Sequence, residues 1–89
     1  MKREDLRPYL NKEVETWSSK SHSALREELR KGYVKAEPGM PYHVEVQVLE
    51  DREDYVHVFV AVCSEQAAWS CYHPLSTSFL VYRDGRVDR

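Results

Sequence analysis

The sequence predicts an α+β domain in which an N-terminal helix, in one or two pieces, packs on a curved antiparallel sheet of four to five strands. Two observations support this fold class. Apolar residues recur at helical spacing in the first third of the chain, and valine recurs at every second position after residue 42. We expect one domain over residues 1–89, helical over 4–31, with a sheet over 33–83 and a loose tail over 84–89.

The composition excludes several classes of protein. An 89-residue chain with 42% hydrophobic and 31% charged residues is typical of one small globular domain, which has little room for an internal site beside its core. No stretch approaches the roughly eighteen uninterrupted apolar residues of a membrane helix. The charged N-terminus also lacks the apolar run of a secretory signal, so we predict a cytoplasmic protein without a membrane partner.

The charge distribution argues against nucleic-acid binding. Residues 1–36 hold nine Lys and Arg against six Asp and Glu, and residues 37–89 hold four against nine. Nucleic-acid interfaces need Lys and Arg clustered on one face, and an excess this mild is typical of a solvated helix face. We therefore expect no nucleic-acid partner.

The first helix is predicted by a single apolar stripe. Its members follow one another at spacings of four, four and three: Leu6, Leu10, Val14 and Trp17. Pro8 is tolerated only in the first turn of a helix, so the helix should begin at about residues 5–7.

A serine-rich segment, SSKSHS (18–23), should interrupt the helix, because serine favours caps over helix interiors. Ser21 or Ser23 would then cap a second, short helix with Leu25 and Leu29 on its inner face. One long helix bent through the serines is the alternative.

After Gly32 the apolar period changes from 3.6 to 2, which predicts strands. The candidate strands span 33–37, 42–50, 54–63, 68–73 and 78–83. The RDGR stretch at 83–86 predicts a turn.

The valines restrict how the two strongest strands pair. All seven lie at even positions: Val44, Val46, Val48, Val56, Val58, Val60 and Val62. If they share one face, even residues pair with even residues, and the loop holds an odd number of residues, for example 51–53 with His57 opposite Gln47. A two-residue turn at Arg52-Glu53 would need a bulge. A five-residue loop would set Cys63 opposite His43.

The opposite face of this sheet has the composition of a contact surface. A turn at Glu65-Gln66 would pair Val62 with Trp69 and Val60 with Cys71, which leaves Tyr72 on the face without valines. Aromatic groups with few lysines are typical of protein interfaces. A solvated face with scattered aromatic residues is the alternative. We predict a symmetric homodimer, or contact with another protein partner, through a patch centred on Leu49, Tyr55, His57, Phe59 and Tyr72.

The sequence contains no motif for catalysis or for phosphate binding. With the three-residue loop, His43 and His57 lie about 13 Å apart, which is too far to share one metal ion. We expect no metal, no cofactor and no catalytic residue. Cys63 and Cys71 should be reduced thiols, with a disulfide only in an exported protein.

These observations predict a small non-enzymatic domain that self-associates or acts as an accessory module. The alternative is a ligand-binding or catalytic pocket between the helix and the concave sheet. Such a pocket would be lined by Trp17, Trp69, Cys71 and His73.

Four stretches resemble the framework of a family of small uncharacterised bacterial domains. They are W-S-x-K-S (17–21), YHVEVQVLED (42–51), HPLSTSF (73–79) and DG (84–85). The resemblance implies one or two helices followed by an antiparallel sheet. It implies no activity, because the family has none assigned, and it transfers no functional residue. The order of elements is also similar in outline to cystatin-like and NTF2-like folds, which host unrelated functions.

Overall fold

The computed structural model describes residues 6–35, 42–64 and 75–89, without the side chain of Ser64. It contains two helices and a five-stranded antiparallel sheet that is not closed, so the predicted α+β class is confirmed. The elements are α1 (Arg7–Ser18), α2 (His22–Glu28), β1 (Tyr33–Lys35), β2 (Tyr42–Asp51), β3 (Tyr55–Ser64), β4 (Leu75–Tyr82) and β5 (Val87–Asp88). The strands lie side by side in chain order, with β3 in the middle.

Helix α1 follows the predicted pattern. Leu6 occupies the N-cap position and Pro8 lies in the first turn, where its missing N–H removes no helix hydrogen bond. All four residues of the predicted stripe are buried. Burying each such side chain contributes about 1.5–3 kcal/mol, so the stripe fixes how the helix lies on the sheet.

The serine-rich segment breaks the helix, as the first of the two alternatives predicts. Ser21 has an extended backbone, and its Oγ accepts a hydrogen bond of 3.1 Å from the backbone N–H of Ala24. This contact is a standard N-cap of α2, and it satisfies a donor that would otherwise lack a helical partner. The two leucines that were predicted to face inward are Leu25 in α2 and Leu29 at its C-cap, and both are buried.

His22 is a buried polar residue that the sequence analysis did not single out. Its side chain is 7% exposed, and its Nε2 lies 2.9 Å from the carbonyl oxygen of Arg52. A carbonyl oxygen can only accept, so Nε2 carries a proton and donates. The hydrogen bond joins the start of α2 to the loop between β2 and β3.

The β2–β3 pairing confirms the parity of the valines and corrects the predicted loop. Val44 pairs with Val62 and Val48 with Val58, so even residues face even residues. The prediction of a three-residue loop at 51–53 is wrong, because Asp51 pairs with Val56. A β-bulge interrupts the ladder between Val48 and Glu50, after which Glu50 pairs with His57. The bulge inserts one extra residue into β2, and this lets a tight turn coexist with one shared valine face.

The predicted pairing of Val62 with Trp69 and of Val60 with Cys71 is wrong. Val62 pairs with Leu75 of β4 and Val60 pairs with Thr77, while β2 occupies the other side of β3. A strand has two hydrogen-bonding edges, and both edges of β3 are therefore taken. Residues 65–74, including the candidate strand 68–73, lie outside the described residues.

The predicted loose tail is ordered by the sheet. Gly85 adopts a φ of +95° in the turn at 83–86, a conformation that L side chains rarely adopt. The following strand β5 pairs with β4 through Val87 and Val81. Arg89 then donates a hydrogen bond of 2.9 Å from Nη2 to the Oγ of Ser18. The last residues thus connect the edge of the sheet to α1.

The core lies on one side of the sheet. The apolar stripes of both helices, the inward valines of β2 and β3, and Leu75, Phe79 and Val81 of β4 form one buried cluster. The helices therefore cover the face of the sheet that carries the valines.

Tyr42 closes one end of this core. Its ring stacks on that of Tyr9, with centroids 4.5 Å apart. Burial of the side chain raises the pKa of Tyr42 above 10.0, and the carboxylate of Glu13 raises it further, while Lys35 lowers it in part.

The raised pKa of Tyr42 predicts a loss of stability in alkaline solution. Between pH 10.0 and the higher pKa of the folded state, the unfolded chain releases the Tyr42 proton more readily than the folded chain. This contribution is therefore fully present below pH 10.0 and decreases as pH rises through the folded pKa. Urea unfolding at a series of pH values around 10.0 should show a steeper decline for the wild type than for Tyr42→Phe. Parallel declines would contradict the assignment to Tyr42.

Candidate functional site

The candidate site is the face of the sheet that points away from the helices, which we call the outer face. Residues alternate between the two faces of a strand, so the outer face carries the odd-numbered residues of β3 and the residues paired with them. It consists of Tyr55, His57, Phe59, Ala61 and Cys63 on β3, of His43, Glu45, Gln47 and Glu50 on β2, and of Ser76, Ser78, Leu80 and Tyr82 on β4. None of the described helices packs on it, because their buried side chains belong to the core cluster.

An aromatic row forms the middle of the outer face. Tyr55, His57 and Phe59, three of the predicted interface residues, are half-buried on the central strand. The ring of Tyr82 lies beside Tyr55, with centroids 6.0 Å apart, and Leu80 pairs with His57. These five residues make a continuous apolar and aromatic patch across β3 and β4.

Leu80 and Tyr82 are members of this patch that the sequence analysis missed. The signal was present in the stretch SFLVYR, where Phe79 and Val81 alternate with Leu80 and Tyr82. Since Phe79 and Val81 are buried in the core, period-2 alternation places Leu80 and Tyr82 on the other face.

Leu49 and Tyr72, the remaining predicted interface residues, have different outcomes. Leu49 is 54% exposed and lies at the bulge between Val48 and Glu50. It is thus an exposed apolar side chain at one end of the sheet. Tyr72 lies outside the described residues, and the position beside Phe59 where it was predicted is occupied by Ser78.

The charges on the outer face are concentrated on β2. The carboxylate of Glu50 accepts a hydrogen bond from the hydroxyl of Tyr55 and lies 3.6 Å from Nε of Arg52. Glu45 accepts a hydrogen bond from the side-chain amide of Gln47. The outer side chains of β4 are two serines, a leucine and a tyrosine, none of which is charged.

Arg86 supplies the positive charge next to this uncharged strand. Its guanidinium carbon lies 4.3 Å from the centroid of the Tyr82 ring, which is a cation–π contact. Arg86 follows the turn at Gly85, so the turn positions the guanidinium over the aromatic patch.

Cys63 marks the other end of the outer face. It is 8% exposed and disulfide-bonded, so the expectation of a reduced thiol is wrong for this residue. A depression of about 170 Å³ lies next to it, with Val34, His43 and Phe59 among its lining residues. The aromatic patch lies towards the opposite end of β3. Its member nearest to Cys63 is Phe59, which lies two outer-face positions further along the strand.

Of the four residues predicted for the alternative pocket, Trp17 is the one that the described part of the structure includes. Trp17 is buried in the core, and its ring meets Tyr33 edge to face with centroids 4.9 Å apart. At this position packed side chains fill the space between α1 and the sheet. Trp69, Cys71 and His73 lie outside the described residues.

A larger cleft of about 680 Å³ lies between α2 and β2. Four of the charged side chains that line it form ion pairs: Arg26 Nε lies 2.8 Å from Asp51, and Arg30 lies 3.0 Å from Glu27. Exposed ion pairs of this kind contribute about 0–1 kcal/mol each. They do not converge on a common point where a substrate would be held.

Within residues 6–35, 42–64 and 75–89, no group of three or more His, Cys, Asp or Glu side chains has the arrangement to hold a metal ion. His43 pairs with Cys63, whereas His57 lies several rows away next to Glu50. Neither helix of the described structure has the length and apolar character needed to cross a membrane.

Fold and site together define a small α+β domain whose sheet has one face covered by helices and an aromatic patch on the other. Comparison with protein-family models, with curated proteins and with solved structures finds no match to the chain. The coarse architecture that the resemblance implies, helices followed by an antiparallel sheet, is the one observed.

Proposed function

We propose that this chain is a small non-enzymatic interaction domain that self-associates through its outer face. The observation that supports the proposal is the aromatic patch of Tyr55, His57, Phe59, Leu80 and Tyr82, which lies opposite the helix-covered face. A sheet face that only meets water carries mainly Lys, Thr and Glu, whereas aromatic anchors are enriched at protein interfaces.

A second copy of the chain is the partner that the patch fits best. A two-fold axis brings one patch against itself, so a single aromatic cluster supplies both halves of the interface. With strands about 4.8 Å apart and about 3.3 Å per residue, the outer face over β2 to β4 measures roughly 14 Å by 30 Å. This is smaller than the roughly 800 Å² per partner of a standard interface, so we expect a dissociation constant in the micromolar range.

The test is the oligomeric state of wild type and of Phe59→Lys, measured by sedimentation or light scattering over a series of concentrations. Phe59 lies in the middle of the outer face, and a lysine there would place two like charges near the axis. Loss of a central aromatic anchor typically costs about 2–4 kcal/mol, so the dimer should weaken roughly 30- to 1,000-fold.

Asn11→Lys is the matched control, because Asn11 is exposed on α1, away from the outer face, and receives the same charge. It should dimerise like the wild type. The proposal fails if the wild type is monomeric at high micromolar concentration, or if Phe59→Lys dimerises unchanged while remaining folded.

The compartment in which this domain acts is a separate question. The cytoplasmic location expected from the sequence stays a prediction, and a disulfide at Cys63 favours an oxidising compartment instead. Trapping of free thiols in intact cells, followed by mass measurement, distinguishes the two. A chain that carries two trapped thiols supports the cytoplasm, and a chain that carries none supports export.

A further inference from the structure

We infer that the two copies stack with their two-fold axis parallel to the strands, so that β2 of each subunit lies over β4 of the other. The inference rests on the proposed self-association and specifies the surface that each strand meets. Strands β2 and β4 lie on either side of the aromatic row on β3, and their outer side chains differ in charge: β2 carries two glutamates and β4 carries no charged group.

Only two arrangements are available to two sheets that pack face to face with nearly aligned strands. Aligned sheets keep their strand directions within about 30° of each other, and a two-fold axis between the sheets then runs either along the strands or across them. An axis along the strands reverses their lateral order, so β2 faces β4. An axis across the strands preserves the lateral order, so β2 faces β2.

The axis across the strands brings like charges together. Glu45 and Glu50 lie on β2, one on each side of Gln47, which pairs with Phe59. With Phe59 on the axis, Glu45 would lie over the partner's Glu50, and with His57 on the axis Glu50 would lie over the partner's Glu50. Carboxylates brought together and partly desolvated repel each other. This arrangement therefore works against association.

The axis along the strands keeps the acids of the two subunits apart, with Glu45 over Ser76 and Glu50 over Leu80 of the partner's β4. Ser78 pairs with Phe59 on the side opposite Gln47, so it would face the partner's Gln47, with the partner's Glu45 and Glu50 in the adjacent rows. Serine hydroxyls donate to carboxylates, and no outer side chain of β4 is charged, although Asp88 of the neighbouring β5 pairs with Leu80.

The two ends of the strands fit the same arrangement. Arg52, whose backbone N–H bonds to the carbonyl of Tyr55, lies level with Tyr82 on the other side of the aromatic row. Reversing the lateral order places Arg52 over the partner's Tyr82, whose ring already accepts Arg86 within its own subunit. A guanidinium over an aromatic face is a favourable contact, so this pair adds to the preference.

Ser78→Lys and Ser78→Glu distinguish the two arrangements. Both change the same half-buried position on β4 to a charged side chain. With the axis along the strands, a lysine at position 78 lies between the partner's Glu45 and the partner's Glu50 and attracts both. A glutamate at position 78 repels the same two acids. The two-fold axis repeats the contact in the other subunit, so each effect on the dimer is doubled. We expect Ser78→Lys to tighten the dimer about threefold to tenfold and Ser78→Glu to weaken it by a similar factor.

With the axis across the strands, position 78 faces β4 of the partner, and neither variant would tighten the dimer. The test requires that the wild type dimerises and that Phe59→Lys does not. Under that condition, the inferred arrangement is overturned if Ser78→Lys dimerises no more tightly than Ser78→Glu. A wild type that never dimerises overturns the proposed function itself, so the two failures are distinguishable. Circular dichroism of each variant confirms that it is folded before its association is measured.

Discussion

Val58→Asp should unfold the domain. Val58 is 0% exposed at the centre of the sheet, where it pairs with Val48 on one side and Phe79 on the other. The substitution removes an apolar side chain worth about 1.5–3 kcal/mol of burial. It also places a carboxyl group where no described side chain is available to pair with it, at a further cost of at least about 1–3 kcal/mol.

The expected destabilisation is at least about 2.5–6 kcal/mol, which approaches the whole stability of a domain of this size. Far-ultraviolet circular dichroism at 25 °C and thermal melting are the measurements, and the variant should show no cooperative transition near the melting temperature of the wild type. A folded Val58→Asp variant with nearly unchanged melting would show that the valine face is not the core.

His57→Asp is the matched control, because it introduces the same group one residue away on the outer face. His57 is half-buried there, so the new carboxylate keeps contact with water. We expect this variant to remain folded, as should Glu45→Lys, whose side chain is exposed on the same face. The contrast between neighbouring positions 57 and 58 tests the alternation of the strand directly.

Loss of the disulfide at Cys63 has the second-largest expected effect. The sequence contains two cysteines, and an intrachain bond between Cys63 and Cys71 would close a loop of about nine residues. Closing a loop of this length restricts the unfolded chain and stabilises the folded state by about 2.5 kcal/mol. For a domain of this size, that corresponds to a fall in melting temperature of roughly 10–20 °C on reduction.

Thermal melting with and without a strong reductant measures this effect, and Cys71→Ser is the control variant. The variant should melt at the temperature of the reduced wild type and should be insensitive to reductant. Mass spectrometry of the air-oxidised wild type provides an independent reading, since an intrachain bond lowers the mass by that of two hydrogens. Two free thiols in air-oxidised protein would exclude the disulfide.

The candidate site could be predicted in part from the sequence. Alternation along β3 placed Tyr55, His57 and Phe59 on one face, and this placement is independent of which strands lie on either side. The neighbours of that row were not predictable in the same way. Leu80 and Tyr82 join the patch only because β4, and not an earlier segment, pairs with β3.

The sequence by itself determined the two helices, the two central strands and the faces that these elements bury. The apolar stripe of α1, a capping serine at position 21 or 23 and the even-numbered valines each follow from local chemistry, and the structure selects Ser21. A helix stripe repeats every 3.6 residues and a strand face every two, so the buried side of each element can be read from its own residues.

Only the tertiary structure decided the register, the order of the strands and the long-range polar contacts. A shift of two residues along a strand leaves every valine on the same face, so alternation cannot distinguish the predicted pairing of Gln47 with His57 from the observed pairing with Phe59. The bulge before Glu50 and the hydrogen bond from His22 to Arg52 depend on how separate elements meet. Such contacts join residues far apart in the chain, and their energy exists only when the whole core has packed.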